Sequence, residues 1–442
     1  MTPDGTAPLI TSHPEALAFL DRRIGSGVRP GLERISGLLT LMGDPHLAIP
    51  VIHVAGTNGK TTVVRLIRDL LLAHGLRVGT FTSPHLHRLE ERFTIDDRDL
   101  DEQGLVDAVA DVAPFVARYE HDHDTTVTYF ELTAALAFAA FQAEGVDVAV
   151  VEVGLGGRLD ATNVVNADVS VITGIAIDHT AYLGTTVAEI AAEKAAIVKS
   201  GGVLVSGRLP AAAEGPVTAR VSDTGARWYR SGEHHDVRNA DLAVGGWLAG
   251  IRGLHGVYEE VYLPLHGRHQ VDHLATSIAA TEAFFDRALD PAAVVEAAGA
   301  ADSPGRLEVV GTRPLVLIDG AHNQEGVGGL AEALDNEFPD TRRIAVVGFR
   351  GDRLPGDLLR HLAGMIDEVI VTESDDGDVV PAAEIVAAAH EVFGPDIAVE
   401  SVTPVARAVA TALARSGPDD MVVITGSLYV VGEARRHLVP DV

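Results

Sequence analysis

Short β-branched runs alternate with longer alanine- and leucine-rich stretches along most of the 442 residues, and that alternation leaves few folds open. Parallel strands need a long crossover between them, and helical crossovers cover both faces of the sheet. "PVIHV" (50–54), "RVGTF" (77–81), "VDVAVVEV" (146–153) and "DVSVITGI" (168–175) read as buried strands. "TTVVRLIRDLLLAHG" (61–75), "YFELTAALAFAAFQAEG" (129–145) and "TVAEIAAEKAAIVKSG" (186–201) read as helices between or after them. Residues 217–265 carry short alternating segments and many turn residues, so a small antiparallel insertion is expected there. Alternation resumes after "ADSPGRLEVV" (301–310), with strands expected at 314–319, 343–349, 367–373 and 421–427. The expectation is an α/β chain: a P-loop-type, doubly wound N-terminal domain over 1–300, then a smaller Rossmann-like domain over 301–442. The boundary is expected near 296–306.

"VAGTNGKTT" (54–62) sits between the first strand and the first helix. It departs from G-x-x-x-x-G-K-[ST], because Val54 stands where the first glycine belongs. The context still suits an anion. Gly56 and Gly59 let backbone N–H groups face a phosphate, and the helix N-terminus adds positive potential. Lys60 is placed to reach the β- and γ-phosphates, and Thr61 or Thr62 to offer a hydroxyl to phosphate or Mg²⁺.

Three other strand ends carry polar residues. Ser83 follows the second strand, in a position open equally to a ligand crevice or an ordinary polar loop. Glu152 ends the strand before "GLGGRLDATN", and a carboxylate there is a hard-oxygen donor suited to Mg²⁺. Asp178 and His179 follow the next strand, where a histidine is either a hydrogen-bonded core residue or a ligand. Lys194 lies on an alanine-rich helix. It is either solvated or, facing inward, depressed in pKa and able as a neutral amine to take up CO₂ as a carbamate.

Apolar residues make up 47%, enough for two cores. Without cysteine there are no disulfides, thiolate catalysis or cysteine-bound metals. No run approaches the roughly 18–20 apolar residues of a membrane span, and the N-terminus lacks a signal layout. A cytoplasmic protein with no membrane partner is expected. The formal charge of −29 disfavours nucleic acid, so a polyanionic substrate needs a local basic site.

"HVAGTNGKTT", "TSPHL…ER", "FELTA", "EVGLGGRLDATN", "IDHTAYLG", "IAAEKAAIVKSG", "HGRHQ", "SPGRLE" and "IDGAHNQEG", in this order, resemble the folylpolyglutamate synthase/dihydrofolate synthase family, the folate branch of the Mur ligase superfamily. The resemblance implies a Mur-type ATP-binding domain, then a glutamate-ligase-type domain. It implies an ATP-dependent amide ligase that phosphorylates a pterin or folate carboxylate and lets L-glutamate capture the acyl phosphate. Thr57, Asn58, Gly59, Lys60, Thr61 and Thr62 are then expected around ATP. Ser83 and Glu152 would hold one Mg²⁺, and Glu152, His179 and carbamylated Lys194 a second. Arg306, Asp319 and His322 would serve nucleotide and acyl phosphate from the second domain, by domain closure. A monomer is expected.

Three departures stand out. His273 replaces the asparagine usual near adenine. "GFRGDRLPGD" keeps Asp352 but has Arg353 as its nearest cation in place of a lysine. Residues 373–382 lack the usual arginine. A divergent ligase joining another carboxylate to an amino acid, and a nucleotide-binding regulator without turnover, are the competing readings.

Overall fold

The computed structural model describes residues 8–439 except Val28, Asp340, Asp352 and Asp376, so the expectation for Asp352 lies outside the described residues. The chain divides into two compact units. One holds the residues up to Asn239, Gly250–Val261 and Asp272–Ala300; the other holds Ala240–Ala249, Tyr262–Val271 and the chain from Ala301 onward.

In the first unit, β1 (Val51–Ala55), β2 (Val78–Phe81), β3 (Phe93–Ile95), β4 (Arg98–Asp99), β5 (Val148–Glu152), β6 (Val169–Ile172), β7 (Val203–Ser206) and β8 (Arg227–Arg230) form one sheet. Its order is β4-β3-β2-β5-β1-β6-β7-β8. All neighbours from β2 to β8 run parallel, and β3 and β4 add an antiparallel edge. Every residue of β1 and β5 is buried, as a strand covered on both faces requires. Their side chains alternate between two cores. Ile52, Val54, Val148 and Val150 pack with Val63, Val64 and Ile67 of the helix Lys60–Ala73. Val51, Ala149 and Val151 share the other core with Leu132, Phe138 and Phe141 of the helix Tyr129–Glu144. Fully burying each large aliphatic side chain contributes about 1.5–3 kcal/mol, so the helix after β1 is held by packing as well as by propensity.

Two expectations need correction. Residues 217–265 are not one antiparallel insertion. Ala211–Thr224 is a helix, and β8 joins the main sheet in parallel. The separate three-stranded sheet contains only β9 (Asp236–Ala243), β10 (Gly246–Arg252) and β11 (Val257–Leu263). Turn residues mimicked a break because Ala211–Thr224 carries Gly215 and Pro216 inside it, both weak helix formers. The helix expected over 186–201 runs from Val187 to Ala195. Ile197 N–H and Val198 N–H then bond three residues back, to the carbonyls of Lys194 and Ala195, which tightens and ends it. The helices His13–Asp21, Glu33–Leu41 and Glu102–His123 had no counterpart in the strand-helix reading.

The second unit contains β12 (Glu308–Thr312), β13 (Leu315–Asp319), β14 (Arg343–Val347), β15 (Glu368–Val371), β16 (Ala398–Ser401) and β17 (Met421–Thr425), in the order β12-β13-β17-β14-β15-β16. Only β12 is antiparallel. Among the described residues, no helix is long and apolar enough to cross a membrane.

Of the buried histidines in the first unit, His53 and His235 are the most strongly held neutral. Burial lowers His53 to about 3 and His235 to about 4. An unfolded histidine takes up its proton near pH 6.5, before either folded one does. The unfolded state therefore gains protons first, and stability is lost as pH falls from 6.5 toward 4, by up to about 1.4 kcal/mol per pH unit for each histidine. Below each folded value that contribution is flat. Urea midpoints taken from pH 7 to pH 4 should fall along this course, and His235→Gln should flatten the slope.

Candidate functional site

The phosphate-type loop follows β1 directly. Gly59 sits at φ +77°, in the left-handed region, and caps the helix Lys60–Ala73. A Cβ there would lie 2.2 Å from His273 Nε2, so the imidazole packs on the loop itself. A Cβ on Gly56 would lie 1.9 Å from Thr173 Oγ1. Both glycines are thus required by space as well as by conformation at Gly59.

The loop is tied to the segment after β6. Thr57 N–H bonds Gly174 O at 2.9 Å, and Thr57 Oγ1 accepts from Ala176 N at 3.0 Å. Thr173 Oγ1 donates to Asn58 O at 2.5 Å. Lys60 Nζ lies over the loop, donating to Gly56 O (3.2 Å) and Thr57 O (3.3 Å). Thr62 is buried, whereas Thr61 turns its hydroxyl to Glu152 Oε2 at 2.9 Å.

Glu152 is level with Val54, because β5 pairs with β1 in that register. Its carboxylate is 1% exposed and also accepts from Ser83 N at 3.3 Å. Ser83 follows β2, the next strand of the sheet. Three strand ends therefore meet at one carboxylate, and that carboxylate with the Thr61 hydroxyl offers hard oxygens suited to Mg²⁺. Among the described residues no three His, Asp or Glu side chains cluster as a metal cage. Mg²⁺ keeps several waters and needs only one or two carboxylates beside phosphate, so this set fits it.

Lys194 is buried, not solvated. Its Nζ donates to Gly56 O at 2.8 Å, from beneath the loop. Burial and the neighbouring Lys60 charge lower its pKa to about 7, against the opposing pull of Asp178 and Asp160. His179 adopts φ +48°, and its backbone N–H bonds Asp178 Oδ1 at 2.7 Å. Its ring is 39% exposed.

A cavity of about 430 Å³ opens beside this cluster, within the first unit. Tyr129, Phe130 and Tyr182 supply aromatic surface, Arg92 and Asp160 supply charge, and Ser83 lines it too. Gly154 is needed in its wall, since a Cβ there would strike Phe130 Cζ at 2.4 Å. Asp160 is buried, and burial raises its pKa against four stabilising hydrogen bonds. Sequence reasoning had not singled out Phe130, Arg92 or Tyr182. They come from separate segments, within the stretches "FELTA", "TSPHL…ER" and "IDHTAYLG", and nothing local says that these side chains share a wall.

In the second unit, Asp319 ends β13. Its carboxylate accepts from Leu307 N (2.9 Å) and Ala321 N (3.0 Å). Burial raises its pKa, and Arg306 pulls the other way. Arg306 Nη1 donates to Gly320 O at 3.4 Å, and His322 Nδ1 donates to the same carbonyl at 2.8 Å. Arg306, Asp319 and His322 are thus brought together around Gly320. Arg353, in the loop after β14, has its N–H bonded to Arg350 O at 3.1 Å.

Residues 54–281 match the family "Mur ligase middle domain", and residues 305–428 match "Mur ligase, glutamate ligase domain". A dihydrofolate synthase/folylpolyglutamate synthase from Mycobacterium tuberculosis is 38% identical over 98% of this chain and 94% of its own length. A crystal structure of Mycobacterium tuberculosis folylpolyglutamate synthase complexed with ADP and AMPPCP superposes with a TM-score of 0.92 at 38% identity, covering 97% of this chain and 99% of that one. An Escherichia coli protein solved in complex with DHPP and ADP gives 0.86 at 30% identity, covering 97% and 98%.

Gly59→Ala should weaken ADP binding by about tenfold or more, because the left-handed conformation and the clash with His273 act together. Calorimetric titration of ADP into the folded variant checks it.

Proposed function

The chain belongs to the Mur ligase family, in its dihydrofolate synthase/folylpolyglutamate synthase branch, and on that premise we propose how its residues carry out ATP-dependent addition of L-glutamate to a pteroate or folate carboxylate. The observation that carries the reading is a continuity. One aromatic-walled cavity reaches Ser83, Ser83 bonds Glu152, and Glu152 bonds Thr61 of the phosphate loop. An acid in the cavity and a triphosphate on the loop therefore share one carboxylate neighbourhood.

The aromatic side chains suit a planar heterocycle, and the buried Asp160 carboxylate suits its amino donors. Lys60 and the backbone N–H groups that open its helix hold the polyphosphate. Ser83, Thr61 and Glu152 would hold Mg²⁺, which supplies positive charge against the phosphates. At neutral pH a large fraction of Lys194 is uncharged, as carbamate formation needs, and we assign it with His179 and Glu152 to a second ion.

A carboxylate is a poor acyl donor. Its oxygen attacks the γ-phosphorus and ADP leaves, giving an acyl phosphate. The glutamate amine attacks the acyl carbon, loses a proton, and expels phosphate that carries one former carboxylate oxygen. Arg306 is assigned to anionic phosphate, with Asp319 holding the turn beside it and His322 available for proton transfer. The protein is proposed to act as a monomer.

Two outcomes test this. Lys60→Ala should lower kcat/KM for phosphate release on the order of 10²–10³-fold, the effect of removing one charge-stabilising donor. With ¹⁸O in the acceptor carboxylate, label should appear in the released phosphate. Amide formation without transfer of label excludes the acyl phosphate.

A further inference from the structure

The chain contains 31 arginines but only three lysines, at 60, 194 and 199. Arginine serves at every other cationic position, including buried ones such as Arg23 and Arg343. Lysine and arginine differ in head-group size, planarity and ability to lose a proton, so a position that keeps lysine in such a chain marks a demand for the compact ammonium. Lys60 and Lys194 lie at the phosphate loop. Lys199 has no part in the mechanism above.

Lys199 Nζ donates to two atoms of one residue, Asn163 O and Asn163 Oδ1, each at 2.8 Å. Asn163 Nδ2 in turn donates to Arg158 O at 3.2 Å. A compact ammonium fits between these two acceptors, whereas a guanidinium would bring a wider planar head into the same space. From β1, a second support reaches the same segment. His53 Nε2 lies 2.8 Å from Thr162 Oγ1, and the Thr162 hydroxyl donates to Asp160 Oδ1 at 2.5 Å. Because that hydroxyl proton is spent on Asp160, the imidazole must be the donor to Thr162, with its proton on Nε2. Asp160 Oδ2 accepts from Leu155 N at 2.8 Å. Asp160 and Arg158 line the cavity; His53, Thr162, Asn163 and Lys199 are not among its lining residues.

We propose that Lys199, through Asn163, and His53, through Thr162, are positioning residues that hold segment 158–163 so that Asp160 is presented to the acceptor acid. The inference rests on the reading that the cavity takes that acid. The supports work on different atoms and from different elements. Lys199 stiffens the backbone at Asn163, and His53 orients the carboxylate. A buried carboxylate whose hydrogen-bond partner is removed rotates or draws in water, and the substrate group it faced loses a matched acceptor.

The test uses the full chain with ATP, L-glutamate and dihydropteroate. Thr162→Val and Lys199→Met should each raise KM for dihydropteroate about tenfold, the effect of losing one buried hydrogen bond to a charged group. KM for ATP and kcat should stay within about twofold. Thr162→Ser should restore the wild-type KM, and Lys199→Arg should not. Asp160→Asn separates the two readings. If it raises KM for dihydropteroate while Thr162→Val and Lys199→Met do not, the positioning inference fails and the cavity reading stands. If Asp160→Asn also leaves KM unchanged, the cavity reading itself fails. A fall in kcat together with a rise in both KM values marks a general loss of structure and also overturns the inference. Should Lys199→Met not fold, Lys199→Arg decides that arm, and the Thr162 pair decides the other.

Discussion

The parallel pairing of β1 with β5 on one side and β6 on the other is the constraint on which the rest depends. It sets Val54 beside both Glu152 and Val171, so the residues following all three strands emerge at one edge. The chain leaves β1 toward β2 and later passes to β6 on the opposite side, and such a reversal opens a crevice at the strand ends. A shift of one residue in β5 would turn Glu152 to the opposite face of the sheet and remove the carboxylate that joins Thr61 to Ser83.

That crevice is dense in backbone polar groups, and the fold satisfies them with side chains from neighbouring loops. Thr57 and Thr173 bind the phosphate loop to the segment after β6, and Lys194 supports Gly56 from below. The loop is therefore shaped before any anion arrives, which lowers the ordering cost of binding. The same arrangement lowers the Lys194 pKa: it is enclosed, and the Lys60 charge on the phosphate-type loop opposes its protonation.

The cavity of the first unit follows a different logic. Its aromatic wall comes from the start of the helix Tyr129–Glu144 and from Tyr182 after β6, and its polar side includes the glycine-rich segment after β5. Gly157 lets that segment approach the helix that bears Lys194, since a Cβ there would lie 2.6 Å from Glu193 O. One short stretch of chain thus touches both the cavity and the lysine beneath the phosphate-type loop.

Strand-helix alternation, the glycine-lysine-threonine loop and the polar residues closing β2, β5 and β6 were all legible from the residues, because hydrophobic period and glycine placement are local properties. Local signals misled where composition and context disagreed: the helix Ala211–Thr224 carries Gly215 and Pro216, and β8 lies in a stretch that reads as turns. The second unit's cluster was visible as motifs, yet nothing local says that Arg306 and His322 bond the same carbonyl of Gly320. Only tertiary structure decided that Thr61 and not Thr62 faces Glu152, that Lys194 is buried, and that Phe130, Arg92 and Asp160 line one cavity. The reason is distance along the chain. Burial and pocket walls are set by segments far apart in the chain, 138 residues in the case of Lys194 and Gly56, and no periodicity within one segment records which others will pack against it.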